Sequence, residues 1–444
     1  MDIALAVIIT FFLTTLGCVF IARSYFLKKR KAEDKELHKV LEHVANKQDE
    51  SQMILASLNM GVIAYSYDGI LLLSNQAASE IFPEIPHHIR DFIDSYDQDQ
   101  KLRSDLILEK NKSEITKIIN EQTYNLTLEK RILGNKKRPA YIIIIQNITA
   151  QVMEDQQRKE FVANVSHELK TPLTTIKTYS ESLLDWGIDE KSKDSIKKDM
   201  SKLYTGSIRM EQLINDLLLL SRIDGKAIYT NIEKRELMPV IRNCIERILS
   251  QADQKHIDIS SYAVSGRVFA YIDKMSFERI IMNLISNAIK YTPEFGEVKV
   301  YVGSLVEDVY IKIVDNGIGI PDELQNNIYK RFYRVDSTGS REHGGTGLGL
   351  SIVKELVDLH NGQIDLKSQT GKGSEFMILL PSIKKTLRNA LYQLNENGQT
   401  TNVVTKAAEP ELIELAKSLN IVAQWKSLQQ DEIKLILKEI EMNY

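Results

Sequence analysis

The apolar positions of this chain fall into successive patterns, each predicting a different element. Residues 3–22 form one uncharged apolar run, IALAVIITFFLTTLGCVFIA. At about 1.5 Å rise per residue such a run covers the roughly 30 Å hydrocarbon core of a bilayer, so a transmembrane helix is expected over 3–25. Arg23, Lys28, Lys29, Arg30 and Lys31 follow it. This bias predicts a single-pass cell-membrane protein with residues from about 26 onward in the cytoplasm. A cleaved signal peptide would need a basic start and a shorter apolar core, and the start here is acidic. Only Met1 and Asp2 precede the run, so any signal is expected to arrive through the membrane or the cytoplasm. Residues 26–52 are charged with spaced aliphatics (Leu37, Val40, Leu41, Val44), a pattern for a helical linker, either a short coiled coil or a solvated helix.

Period-two patterning takes over in residues 53–149. GVIAYSYDGILLLSN places two β-rich runs around Asp68-Gly69, a hairpin signal. QAASEIF reads as a helix, and TYNLTLEKRIL with PAYIIIIQNI as a later strand pair. The order predicts an α+β module. The stretch GVIAYSYDGILLLSNQAASEIF resembles a PAS domain, which implies a sensor. His87-His88 offers possible haem or metal ligands, though paired surface histidines are the commoner case.

Residues 150–225 carry seven-residue tracks. Val162, Leu169, Ile176 and Leu183 form one, and Val165, Pro172 and Tyr179 a second. Ile196, Leu203, Met210 and Leu217 repeat it, with Leu213 and Leu220 alongside. Two long helices joined near Trp186-Gly187 are expected. A lone hairpin cannot cover its apolar stripe, so two chains should pair into a four-helix bundle, making a homodimer. Residues 230–382 alternate amphipathic helices (MPVIRNCIERIL, SFERIIMNLISNAIKY) with strands (VKVYVGSL, DVYIKIVDN, SEFMILLP), predicting an α/β sandwich. Residues 383–444 read as a helical extension, KTLRNALYQL, PELIELAKSL and DEIKLILKEIE, with Pro410 at a first helical position. The extension should dock on the preceding domain, bind a partner or help dimerise.

Composition narrows the classes. The chain has 444 residues, 43% hydrophobic and 26% charged, which allows several folded domains. Its net charge of −3 argues against a general polyanion binder. With Cys18 and Cys244 its only cysteines, a disulfide-stapled fold and a Cys-rich zinc module are excluded.

Candidate chemistry begins at His167. With Val162 at heptad position a, His167 falls at f, away from the seam. Glu168 can accept a hydrogen bond from one ring nitrogen and leave the other as a nucleophile. Pro172 should bend the helix just past it. In the sandwich, Asn283 and Asn287 share one helix face and offer amide oxygens to a hard cation, or simply solvate that face. Lys290 and Tyr291 continue the turn. Asp315 ends a strand, where its carboxylate can accept from an exocyclic amine, and Gly317 and Gly319 follow in DNGIGIP. In GGTGLGLSIVKELV, Gly345, Thr346, Gly347, Leu348 and Gly349 form a loop opening a helix, an anion site that is neither a Walker nor a Rossmann loop. Arg334 lies in the polar stretch between, a candidate mobile lid, where it either reaches a phosphate or stands as an ordinary solvated arginine.

FVANVSHELKTPLTTIKTYSESL resembles the phosphoacceptor box of bacterial two-component sensor histidine kinases. The four later stretches, in their order, are similar to the N, G1, F and G2 boxes of the ATPase fold shared by these kinases, Hsp90 and gyrase. The layout is closest to the WalK/PhoR-like group. The resemblance covers about half of the chain. It implies that His167 takes the γ-phosphoryl group of ATP, that Glu168 assists as base, and that Thr171 helps position water when the enzyme dephosphorylates its partner. It further implies Asn287 as the chief Mg²⁺ ligand, Asp315 as the adenine reader, and Gly345, Gly347 and Gly349 beside the phosphates. The implied partner is a response regulator with a receiver domain, of winged-helix type, so the chain itself need not touch nucleic acid. The alternative is a phosphatase-dominant or kinase-inactive signalling scaffold.

Overall fold

The computed structural model describes residues 60–96, 112–133, 138–185, 191–225, 230–335, 345–421 and 425–444. The chain divides into two compact units, residues 1–159 and 160–444. The expected anchor and linker (3–52) lie outside the described residues, as does the Trp186-Gly187 connection. Among the described residues, no helix is long and apolar enough to cross a membrane.

The first unit is built on an antiparallel sheet of β1 (Met60–Ser66), β2 (Leu71–Ser74), β3 (Lys112–Ile119), β4 (Gln122–Leu133) and β5 (Arg138–Asn147), in the order β2-β1-β5-β4-β3. The hairpin turns at Asp68-Gly69 as expected, with Gly69 at φ +82°. Helices α1 (Gln76–Ile81) and α2 (Ile89–Tyr96) cover one face. Asn75 caps α1 by accepting from Ala78 N at 3.0 Å and ties it to β1 by accepting from Val62 N at 2.8 Å. Alternation on β1 and β5 turns Ile63, Tyr65, Tyr141, Ile143 and Ile145 inward against Phe82 and Phe92. His88 accepts from Arg90 N at 3.2 Å at the start of α2, and no metal-binding group of side chains gathers among the described residues.

Helix α3 (Thr149–Asp185), most of it in the second unit, and α4 (Lys193–Asp224) are the two expected long helices. α3 runs unbroken through Pro172. The helices come close at Gly206, where an added Cβ would meet Ile176 at 3.1 Å. The sandwich follows. β7 (Asp258–Ala263), β9 (Glu297–Ser304), β10 (Asp308–Asp315), β11 (Gln363–Gln369) and β12 (Gly373–Pro381) form one sheet, ordered β11-β12-β10-β9-β7. Its inner face (Val298, Val300, Val302, Val309, Ile311, Ile313, Ile378) shares a core with α5 (Leu237–Gln254), α6 (Lys274–Tyr291) and α8 (Gly349–Leu359). A short α7 (Asp322–Gln325) precedes the glycine loop. Cys244 sits in this core, and burial pushes its thiol up to about 11, so it is unreactive at neutral pH.

The C-terminal extension packs onto the sandwich. α9 (Ile383–Asn397), α10 (Val403–Ser418) and α11 (Gln430–Asn443) share a second core with Tyr271, Phe269 and Ile232 of the strand pair β6 (Ile232–Glu236) and β8 (Phe269–Asp273). Of the three expected roles, docking is the one this arrangement meets. The expectation for Pro410 is corrected. Pro410 lies inside α10, not at its start. Asn402 caps the helix upstream by accepting from Val404 N and Thr405 N, so VVTKAAE joins the helix before the proline.

Candidate active site

α3 carries the acceptor half. The His167 side chain is 76% exposed, and Glu168, at 17%, tucks beneath it. Glu168 Oε1 is 3.9 Å from His167 Nδ1. Its other oxygen accepts from Arg209 of α4 at 3.2 Å. Thr171, one turn on, donates through Oγ1 to the His167 carbonyl at 3.3 Å. Pro172 supplies no N–H, so the helix bond to the Glu168 carbonyl is missing directly below the histidine.

α6 carries one wall of the nucleotide half. Asp273 caps it, accepting from Ser276 N at 2.8 Å. His360, at the end of α8, anchors that start, since its Nε2 accepts from Asp273 N at 3.0 Å and its Nδ1–H faces Leu356 O at 2.7 Å. Burial holds the imidazole below its ordinary value, in the neutral form this bonding requires. Two turns in, Asn283 stands against the glycine loop. A Cβ on Gly349 would lie 3.4 Å from Asn283 Oδ1, and one on Gly345 would lie 2.8 Å from Lys290 Nζ. The Asn283 Nδ2 is buried and has no hydrogen-bond partner among the described residues. Asn287 follows on the same face, half-buried. The Lys290 ammonium lies 4.7 Å over the Tyr291 ring.

The loop itself is shaped by backbone constraints. Gly347 adopts φ +70° and its carbonyl accepts from Phe332 N at 2.9 Å. Thr346 Oγ1 accepts from Leu348 N at 3.3 Å, and α8 opens at Gly349. The N–H groups of that first turn have no helical partner, which makes this helix end suited to an anion.

Asp315 ends β10 and is 9% exposed. Its Oδ1 accepts from Gly317 N at 2.9 Å and Ser374 N at 3.2 Å, which leaves Oδ2 as the oxygen open to a ligand. Burial raises the carboxyl above its ordinary value, against the lowering effect of those two N–H groups. The turn beyond it is fixed by Ile318 N donating to Tyr291 O at 3.2 Å and by Gly319 at φ +68°, hard against Gln369 O.

The fold therefore brings Asn283, Lys290, Gly345, Thr346, Gly347, Leu348 and Gly349 to one mouth, with Asp315, Gly317 and Tyr291 on the adjoining turn. Arg334 is half-buried where the intervening segment starts, and residues 336–344 lie outside the described residues. A polyphosphate with a base fits this set. Its oxygens would satisfy the orphaned Asn283 amide and the α8 N–H groups, and Asn287 could offer an oxygen to a divalent cation.

Several working contacts have no sequence motif. Asp216 of α4, 7% exposed, pairs with Arg279 of α6 and accepts from Thr346 Oγ1 at 3.5 Å. Burial raises its carboxyl despite Arg279. Arg331 forks onto Asp224 at 2.6 and 2.8 Å, and Phe332 meets Phe161 of α3 at 5.6 Å between ring centroids. An acid inside LINDLLLL was the available hint for Asp216. Nothing in spacing joins Arg209 to Glu168.

Comparison with known proteins agrees with this division of labour. Residues 157–226 match the family model described as His Kinase A (phospho-acceptor) domain. Residues 272–384 match that described as Histidine kinase-, DNA gyrase B-, and HSP90-like ATPase. The chain is 33% identical over 347 residues to Sensor histidine kinase WalK of Bacillus subtilis, covering 74% of this chain and 54% of that protein. It is 29% identical over 355 residues to Sensor protein SrrB of Staphylococcus aureus, covering 78% and 58%. The chain thus spans about half the length of the curated relatives it matches. The solved structure of Acinetobacter baumannii histidine kinase AdeS aligns at 24% identity over 49% of this chain and 98% of its own, with a TM-score of 0.40.

Proposed function

Because the chain belongs to the bacterial two-component sensor histidine kinases, we propose that it phosphorylates itself on His167 from Mg·ATP and passes the group to an aspartate of a separate response regulator. The observation that carries the reading is the meeting of the glycine loop with Asn283 and Lys290, in the same unit as an exposed His167 backed by Glu168.

Phosphoryl transfer is mainly positioning and charge stabilisation. Asp315 Oδ2 accepts from the adenine amine. The α8 N–H groups, Asn283 and Lys290 hold the phosphates. Mg²⁺, when bound through Asn287, neutralises charge on the transferred group. The free ring nitrogen of His167, Nε2, attacks the γ-phosphorus. The N–P bond forms as the bond to the β-phosphate oxygen breaks, ADP leaves, and the Nδ1 proton passes to Glu168.

A homodimer would cover Val162, Leu173, Leu184, Met200, Tyr204, Ile214 and Leu218, all exposed on α3 and α4. The first unit is read as a PAS-like sensor, supported by its strand order and by the segment GVIAYSYDGILLLSN. Residues 3–25 are read as the membrane anchor, and Thr171 as the residue that helps dephosphorylate the regulator.

The test is nucleotide binding and onward transfer. The full chain should bind Mg·ATP, and Asn287→Ala should lose the Mg²⁺ dependence of that binding. Label taken from γ-labelled ATP should then move to a receiver domain in trans. Binding without any label would favour a phosphatase-dominant protein, and no binding would refute the nucleotide site.

A further inference from the structure

The acceptor half holds a residue with no assigned part in the chemistry. Glu168 divides its carboxylate between two helices. Oε1 faces His167 Nδ1 at 3.9 Å, on its own helix, and Oε2 takes the Arg209 guanidinium at 3.2 Å, from α4. We propose that Arg209 is a positioning residue for phosphorylation of His167, holding the Glu168 carboxylate beneath the ring so that Nδ1 keeps the proton and Nε2 is free. The inference rests on the reading of His167 as the phosphoacceptor.

Three observations carry it. First, the pair is largely sheltered. Glu168 and Arg209 side chains are 17% and 28% exposed, whereas His167 is 76% exposed. A sheltered carboxylate needs a hydrogen-bond partner to replace lost water, and Arg209 supplies one. Second, the two oxygens are not equivalent. Arg209 occupies Oε2, so the carboxylate turns Oε1 toward the ring. At 3.9 Å the ring contact is still too long for a hydrogen bond, and a small side-chain adjustment closes it. Catalytic hydrogen bonds are often this loose before substrate binds. Third, the tether comes from the other helix. The backbone of α3 alone fixes where Glu168 starts but not where its carboxylate ends, and Arg209 supplies that second point. A free imidazole in water prefers its proton on Nε2, the wrong nitrogen for attack. An acceptor fixed at Nδ1 reverses that preference.

The test combines rates with the histidine tautomer, using the full chain. With γ-labelled Mg·ATP, Arg209→Met should slow labelling about tenfold or more while the half-saturating ATP concentration stays unchanged. Arg209→Lys, which keeps a cation, should recover most of the rate. Glu168→Gln should slow labelling about a hundredfold, and adding Arg209→Met to it should change the rate by less than about twofold. An Arg209 that acted on the rate independently of Glu168 would give losses that multiply, and the tautomer separates positioning from a purely structural pair. Selective ¹⁵N labelling of histidine gives the second readout, with the His167 signal assigned from His167→Gln. The native chain should show His167 protonated on Nδ1, and Arg209→Met should shift it toward Nε2. Labelling of Arg209→Met at the native rate, multiplying losses, or an unmoved tautomer would each overturn the proposal. If the native chain takes no label, the kinase reading fails, and the tautomer still decides whether Arg209 governs His167.

Discussion

Asp315 illustrates how one residue would carry the proposed nucleotide site. The fold buries its carboxylate and aims two backbone N–H groups at one oxygen, leaving the other for an incoming amine. In Asp315→Asn the amide oxygen must satisfy Gly317 and Ser374, which turns Nδ2 toward the ligand and sets donor against donor. A lost charged hydrogen bond of about 1.5–3 kcal/mol predicts ATP binding weaker by about 10- to 100-fold, read by calorimetry. The pH dependence follows from the raised carboxyl. Only the ionised form leaves both oxygens as acceptors. Acidification should therefore weaken ATP binding, beginning at a higher pH than an ordinary aspartate would, and Asp315→Asn should lose that acid limb. At this scale the sequence was legible where backbone geometry forces residue type. Gly319 and Gly347 sit at positive φ against backbone atoms, and Asp315 sits at a strand end beside them. Arg209 and Asp216 were not legible, because a charged residue on a helix looks the same whether its partner is water or a carboxylate on another element.

Among the elements, the long heptad tracks of α3 and α4 and the strongly apolar strands β9, β10 and β12 were readable. β3 was not. Its residues KSEITKII alternate exposed with half-buried, and it lies at the sheet edge, so its burial signal is weak. β6, IEKRE, is charged because it pairs only with β8 and packs one face on the extension. α10 was misplaced because a proline reads as a helix start, whereas here the Asn402 cap, eight residues earlier, outweighs the missing bond. That misreading yields a prediction. Pro410→Ala should restore the hydrogen bond to the Lys406 carbonyl and stabilise the extension by about 1–3 kcal/mol, seen as a raised Tm. Gly206→Val should act in the opposite sense. The added side chain meets Ile176 across the hairpin, and overpacking of about 1–3 kcal/mol should lower the Tm of that unit.

On the scale of the second unit, the extension is an integral layer of the sandwich rather than a loose tail. Glu411 of α10 accepts from Lys234, Tyr271 and Tyr444. Burial pushes its carboxyl up, and these three donors together hold it below its ordinary value. Glu411→Ala should cost about 2 kcal/mol, since Tyr271 is left buried without an acceptor, and thermal unfolding should report it. Deletion of residues 383–444 should bare Tyr271, Phe269 and Ile232 and cause aggregation. Within the same unit the α3–α4 hairpin is joined to the sandwich through Asp216, Arg279 and the Arg331–Asp224 fork. His167 and the glycine loop thus belong to one unit, and the proposed chemistry should end on one side chain. The most direct measurement is labelling of the full chain with Mg²⁺ and γ-labelled ATP beside His167→Gln. The account predicts an acid-labile, base-stable label that is absent from His167→Gln although that variant still binds ATP. Label that persists in His167→Gln, or a native chain that binds ATP and takes none, would contradict it.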